Sequence, residues 1–231
     1  MSRVDQQIGF ILKSQAFKET SVIHQVFTPE FGVLSLISKG SRSKRSKYGS
    51  LLQAFRPLSL SWVGQSELKT LTGCEESDEY EQLKGNALYC GFYVNELILN
   101  LLHKHDAHPE LFHAYQNVLR GLLEESTLEA CLRQFEKVLF DEIGYGLALE
   151  YEADGGTPIQ MERLYCFKPG YGFAVQSGNN RSNVISGSAL INLRNNQLSD
   201  KIELLQVKRM MRQLIDDQLD GKILKSRALF V

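Results

Sequence analysis

The 231-residue chain is 43% hydrophobic and 23% charged, a balance that supports a packed core and excludes a disordered chain. Its formal net charge is -1, so the chain as a whole exerts no strong pull on nucleic acid, and any polyanion site must be local. No apolar run follows the start MSRVDQQIGF, and the longest apolar stretch, 97–102, is interrupted by Asn100; a cytoplasmic protein without signal peptide or membrane span is expected.

The first part of the chain alternates. Ile8, Phe10 and Leu12 share one face of a strand, and Val22, Ile23, Val26 and Phe27 mark a second strand buried on both sides. Thr28-Pro-Glu-Phe-Gly32 reads as a turn into a returning strand, 33–38. Two more strands are expected at 58–63 and 67–71. Five short strands in so short a stretch suit a small, partly open barrel. The acidic run Glu75, Glu76, Asp78, Glu79 and Glu81 reads as a solvated linker.

Beyond Asp78 the period becomes helical. Leu88, Phe92, Asn95, Leu99 and Leu102 fall on one face and Ala87, Gly91, Val94, Ile98 and Leu101 on the next, so the helix is packed on more than one side. A second helix is expected over 109–123. Ser126-Thr-Leu-Glu129 has the capping-box pattern before a third, which carries Leu128, Leu132, Phe135 and Leu139 and stops at Gly144-Tyr-Gly146. Short strands at 164–167 and 173–176 flank Lys168-Pro-Gly-Tyr171 as a hairpin. A last helix starts near Asp200, with Leu204, Val207, Met211 and Leu214 on one face, and ends at Gly221.

Charge is unevenly distributed. No Asp or Glu occurs from Phe31 to Ser66, where Lys39, Arg42, Lys44, Arg45, Lys47 and Arg56 all fall. Between Gln82 and Glu150 acids outnumber bases. In Lys39-Gly-Ser-Arg-Ser-Lys-Arg-Ser-Lys47 the cations alternate with small residues, giving a loop able to follow a phosphate backbone and release its counterions. Those six cations are the candidate DNA contacts. The alternative is a solvated basic loop. Tyr48, Phe55 and Trp62 lie nearby and could stack on bases, although Phe55 and Trp62 read better as core.

Other chemistry is poorly represented. Cys74, Cys90, Cys131 and Cys166 form no C-x-x-C pair and read as reduced, apolar thiols. His103, His105 and His108 lack further converging groups, so no metal or other cofactor is expected. G-x-x-x-x-G-K-[ST], H-E-x-x-H and G-x-S-x-G are all absent, which makes an enzyme the poorer hypothesis.

Seven segments, in order along the chain, resemble the RecO family of bacterial recombination mediators. They are Lys18-Glu-Thr-Ser21, Val26-Phe-Thr28, Lys39-Gly-Ser-Arg-Ser-Lys-Arg-Ser46, Leu88-Tyr-Cys-Gly-Phe-Tyr-Val-Asn-Glu-Leu97, Leu132-Arg-Gln-Phe-Glu136, Gly144-Tyr-Gly146 and Lys225-Ser-Arg-Ala-Leu-Phe230. The resemblance implies an α+β protein: an N-terminal OB-fold β-barrel over 1–79, then an α-helical domain over 80–231 with a small zinc-finger-like hairpin insertion at 148–178. It implies binding to single- and double-stranded DNA, annealing of complementary strands, and action with RecR to load RecA. It also implies that the helical domain receives the acidic, hydrophobic C-terminal tail of the single-stranded DNA-binding protein (SSB). Arg133 would be the cation at the contact, flanked by Leu132 and Phe135; its alternative role is an i,i+3 partner of Glu136 on a solvated face. Many relatives carry four zinc-ligating cysteines in the insertion, whereas only Cys166 falls there in this chain. A cytoplasmic, nucleoid-associated mediator is expected; the runner-up is an OB-fold protein that only protects single strands.

Overall fold

The computed structural model describes residues 3–43, 46, 48, 50–177 and 183–230. Five strands, β1 (Arg3–Phe17), β2 (Ser21–Thr28), β3 (Gly32–Ser38), β4 (Leu58–Val63) and β5 (Leu68–Glu76), close into a barrel in the order β1-β2-β3-β5-β4. Only β3 and β5 run parallel; the other pairs are antiparallel. This is the OB-type barrel. The long β1 makes closure possible, pairing with β4 from Arg3 to Gly9 and with β2 from Phe10 to Phe17. Register shifts between Val4 and Gln7 and between Ile11 and Lys13 bend it around the barrel.

The barrel interior holds Ile11, Val26, Leu34, Leu36, Leu58, Leu60, Trp62, Leu71 and Cys74. In β4 the alternation expected from Leu58, Leu60 and Trp62 is realised, with those three buried and the residues between them half-buried. The strand expected at 67–71 continues to Glu76, so Glu75 and Glu76 belong to β5 rather than to a linker. Pairing with β4 extends it past Gly73. Gly32 is required by its turn: its φ is +58°, and a Cβ there would lie 1.8 Å from the Asp106 carbonyl oxygen.

Two helices, α1 (Gly85–Leu101) and α2 (Pro109–Gly121), form one compact unit with the barrel, together with residues 224–231. Aromatic contacts join α2 to β1 and β2: Phe10 and Phe27 each meet Phe112 and Tyr115, at ring separations of 5.1 to 5.9 Å. Buried Asn95 of α1 donates to the Leu12 carbonyl at 2.9 Å and accepts from the Tyr115 hydroxyl at 2.7 Å. The returning 3-10 segment Lys225–Phe230 is held by Glu96, whose carboxylate accepts from the amides of Lys225 and Ser226 and from the Ser226 hydroxyl.

The second compact unit spans 124–223. It contains α3 (Leu128–Glu142), β6 (Leu164–Lys168), β7 (Gly172–Val175), β8 (Val184–Ser186), α4 (Gly187–Arg194) and α5 (Lys201–Gln218). The expected hairpin is β6–β7, and β8 adds a third strand beside β6. Tyr165, Phe167, Phe173 and Ile185 are its buried side chains. Asp200 caps α5, accepting from the amides of Ile202 and Glu203 at 2.9 and 3.0 Å. The capping box expected at Ser126 does not form. A 3-10 turn, Glu125–Thr127, precedes α3, no side chain caps the helix, and Glu129 reaches Lys208 at 2.5 Å instead.

Contacts group the chain into compact units that part after Leu123, while strands give way to helices near the expected 79/80 border. No described helix is long and apolar enough to cross a membrane.

Candidate nucleic-acid interface

The cationic loop starts where β3 ends, at Ser38. The Arg42 amide donates to the Thr20 carbonyl at 3.0 Å, and its guanidinium donates to the Lys18 carbonyl at 3.4 Å. The first part of the loop thus rests on the β1–β2 turn. Ser43 closes a further turn on the Gly40 carbonyl at 3.1 Å. Lys39, Arg42 and Lys18 are exposed here, and the exposed Glu19 is the acid of the same turn. Arg42 spends one of its five donors on Lys18, leaving the fork able to meet a phosphate. Lys44, Arg45 and Lys47 lie outside the described residues.

Arg56, the last of the six candidate cations, is engaged within the protein. Its guanidinium lies 3.1 Å from Glu76, donates to the Ser50 carbonyl at 3.3 Å and stacks over Tyr80 at 5.2 Å. These contacts tie it into the barrel unit, where its charge is already matched. The nearby aromatics are structural too. Trp62 is 1% exposed and packs edge-on against Phe31, Phe55 is buried, and the Tyr48 hydroxyl donates to the Thr72 carbonyl at 2.9 Å.

A polar row that the hydrophobic pattern does not single out leads to the loop, buried at His24 and Ser38 and exposed at Ser14. His24 faces Ser14 across the β1–β2 ladder; its Nδ1 is 2.8 Å from the Ser14 hydroxyl and its Nε2 2.8 Å from that of Ser38. Burial lowers the His24 pKa to about 4, so the ring is neutral near pH 7. The only sequence signal is a polar residue at a strand position whose neighbours Val22 and Val26 are apolar, with Ser14 opposite it on β1 and Ser38 of β3 opposite Val22, one same-face position away.

The residues expected to receive an acidic tail are not at a surface. Leu132, Arg133 and Phe135 are 5%, 4% and 2% exposed, and Arg133 pairs at 2.9 Å with Glu136, itself fully buried. Neither a rim cation nor a solvated i,i+3 pair describes this arrangement; it is an ion pair inside the protein. Periodicity sets Arg133 between core positions but does not tell a half-turn margin from the interior. His103, His105 and His108 occupy the α1–α2 connection, where the His105 amide donates to the Val33 carbonyl at 3.0 Å and His108 lies 3.6 Å from Asp106. Among the described residues, no three His, Cys, Asp or Glu side chains gather as a metal site would require.

Comparison with known proteins places these features in a family. Residues 1–80 match the family model described as "Recombination protein O N terminal", and residues 82–228 match "Recombination protein O C terminal". A curated relative from Coxiella burnetii, "DNA repair protein RecO", is 38% identical over 227 residues, covering 98% of both chains. The protein of that name from Methylococcus capsulatus is 39% identical, covering 99% of this chain and 94% of the relative, and that from Dechloromonas aromatica is 37% identical, covering 99% and 96%.

Proposed function

Since this chain belongs to the RecO family of DNA repair proteins, we propose that it binds single- and double-stranded DNA through the barrel loop and anneals complementary strands without catalysis. The observation that carries this reading is the acid-free segment from Phe31 to Ser66, whose loop leaves the barrel with Lys39 and Arg42 exposed. Cations spaced by Gly and Ser neutralise phosphates regardless of sequence, which suits a protein that must act on any strand. As a mediator the protein also holds the C-terminal tail of SSB and works with RecR to load RecA. Holding DNA and its coating protein together raises the effective concentration of one at the other, and no bond need be made or broken. Association with the nucleoid follows from DNA binding.

Leu132, Arg133 and Phe135, expected to receive the tail, are buried, so the mediator reading is supported by the family membership rather than by these side chains. That same burial favours the runner-up, an OB-fold protein that protects single strands without acting as a mediator. Annealing of complementary oligonucleotides in EDTA and without ATP, with strands bare or coated by SSB, tests the proposal. Annealing of both is expected. Annealing of bare strands alone supports the runner-up, and a requirement for metal or ATP contradicts the binding-only mechanism.

A further inference from the structure

We infer that His24 is a positioning residue for the DNA-binding loop, acting through a hydrogen-bonded relay that runs from β1 through β2 to the first residues of the loop. This inference rests on the proposed role of that loop.

Counting protons gives a consistent direction to each bond. The Ser41 hydroxyl donates to the Ser38 carbonyl at 3.1 Å, so its oxygen is available to accept, and it accepts from the Ser38 hydroxyl at 2.7 Å. In this arrangement the Ser38 proton goes to Ser41, with the Val22 carbonyl at 3.4 Å as its weaker acceptor. The Ser38 oxygen, 2.8 Å from His24 Nε2, then accepts from the Nε2–H tautomer of the ring, whose bare Nδ1 accepts from the Ser14 hydroxyl at 2.8 Å. In the other tautomer the bonds run the opposite way through the same atoms. The relay is continuous for a neutral imidazole, as its burial requires.

Its position matters because of what lies at each end. Ser14 and His24 sit opposite each other in the β1–β2 ladder, and Ser38 closes β3. Ser41 precedes Arg42, whose amide and guanidinium hold the β1–β2 turn at Thr20 and Lys18. The loop is thus fixed at two adjacent points, one through Ser41 to the buried ring and one through Arg42 to the turn. A loop built of glycine, serine and cations has little packing of its own, so these anchors decide where Lys39 and Arg42 point. Losing the anchor leaves the charges but scatters them, and ordering them again on DNA weakens binding.

The test uses the full chain and a fluorescent oligothymidylate, measuring affinity across a salt series alongside thermal unfolding. Ser41→Ala cuts the last link without touching the core, and His24→Phe removes the ring's polar atoms. His24→Gln restores a donor at the Nε2 position. Ser41→Ala and His24→Phe are expected to bind about three- to tenfold more weakly, with a salt slope flatter by about 0.7 for each phosphate no longer neutralised, and His24→Gln to recover most of the affinity. In a Lys39→Gln/Arg42→Gln background, Ser41→Ala and His24→Phe should add nothing. If Lys39→Gln/Arg42→Gln itself leaves affinity unchanged, the loop is not the DNA site and the parent reading fails. If it weakens binding while Ser41→Ala binds as the unaltered chain does, the loop reading stands and the positioning role of His24 is overturned. A lower melting temperature with unchanged DNA affinity in His24→Phe has the same meaning.

Discussion

Arg133 and Arg56 show how much a single cation's role depends on its surroundings. Both are candidate ligand contacts by sequence, and both have partners within the protein, Arg133 in a buried pair with Glu136 and Arg56 in a surface pair with exposed Glu76 and over Tyr80. A buried ion pair is strongly destabilised when one partner is removed, because the other charge stays in a poor solvent. Arg133→Ala is therefore expected to cost about 3 to 5 kcal/mol in urea unfolding, against less than about 1 kcal/mol for an exposed partner. Its folded fraction should bind bare DNA as the unaltered chain does. A near-neutral stability change would contradict the buried pair and favour an Arg133 exposed to a ligand. Charge type and spacing are legible from the sequence; whether a cation faces solvent is not, since burial of α3 is decided by neighbours remote along the chain.

At the scale of elements, strong periodicity is enough for α1, α2 and β4, whose apolar residues recur over several turns or alternate cleanly. It fails where pairing overrides local preference. The second half of β5 carries Gly73, Glu75 and Glu76, poor strand residues locally, yet each is aligned with a residue of β4. Three-residue β8 and eight-residue α4 are too short to show a period at all. The C-terminal 3-10 segment depends on one carboxylate. Burial alone would raise the Glu96 pKa, but hydrogen bonds from the Ser226 hydroxyl and from the amides of Ser226 and Lys225 outweigh it and hold the group below its ordinary value. A folded-state pKa below the unfolded one stabilises the protein above the unfolded value, about 4.3, and that contribution is lost as pH falls through the folded value. Amide exchange in Lys225–Phe230, corrected for intrinsic rate, should quicken as pH drops below about 4.3, and Glu96→Gln should be fast already at neutral pH. Equal protection of this segment in Glu96→Gln and the unaltered chain would show that packing alone holds it.

For the whole molecule, the consequence is that the barrel is not a self-sufficient piece. Phe10 and Phe27 turn their rings to Phe112 and Tyr115 of α2, and Leu12 gives its carbonyl to Asn95 of α1. A fragment ending at residue 79 exposes those rings and leaves the bonds unmade. It is expected to unfold or aggregate, whereas residues 1–123 joined by a flexible linker to 224–231 should show a cooperative thermal transition. The opposite outcome would make the helices accessory. The family and the barrel are readable in the sequence because the matching segments and the strand alternation are spread along it. The compact division after Leu123 is not, since it depends on a C-terminal segment returning to α1 more than a hundred residues later.

The claim on which the rest depends is that the loop after β3 carries DNA binding, and its salt dependence is the most direct measure. With Lys39, Arg42, Lys44, Arg45 and Lys47 all changed to Gln, the slope of log K against log salt should fall by about 0.7 for single strands and about 0.9 for duplex per phosphate left without its cation, with thermal unfolding unchanged. An equal slope and affinity in the folded variant would contradict the account and place the DNA on another surface.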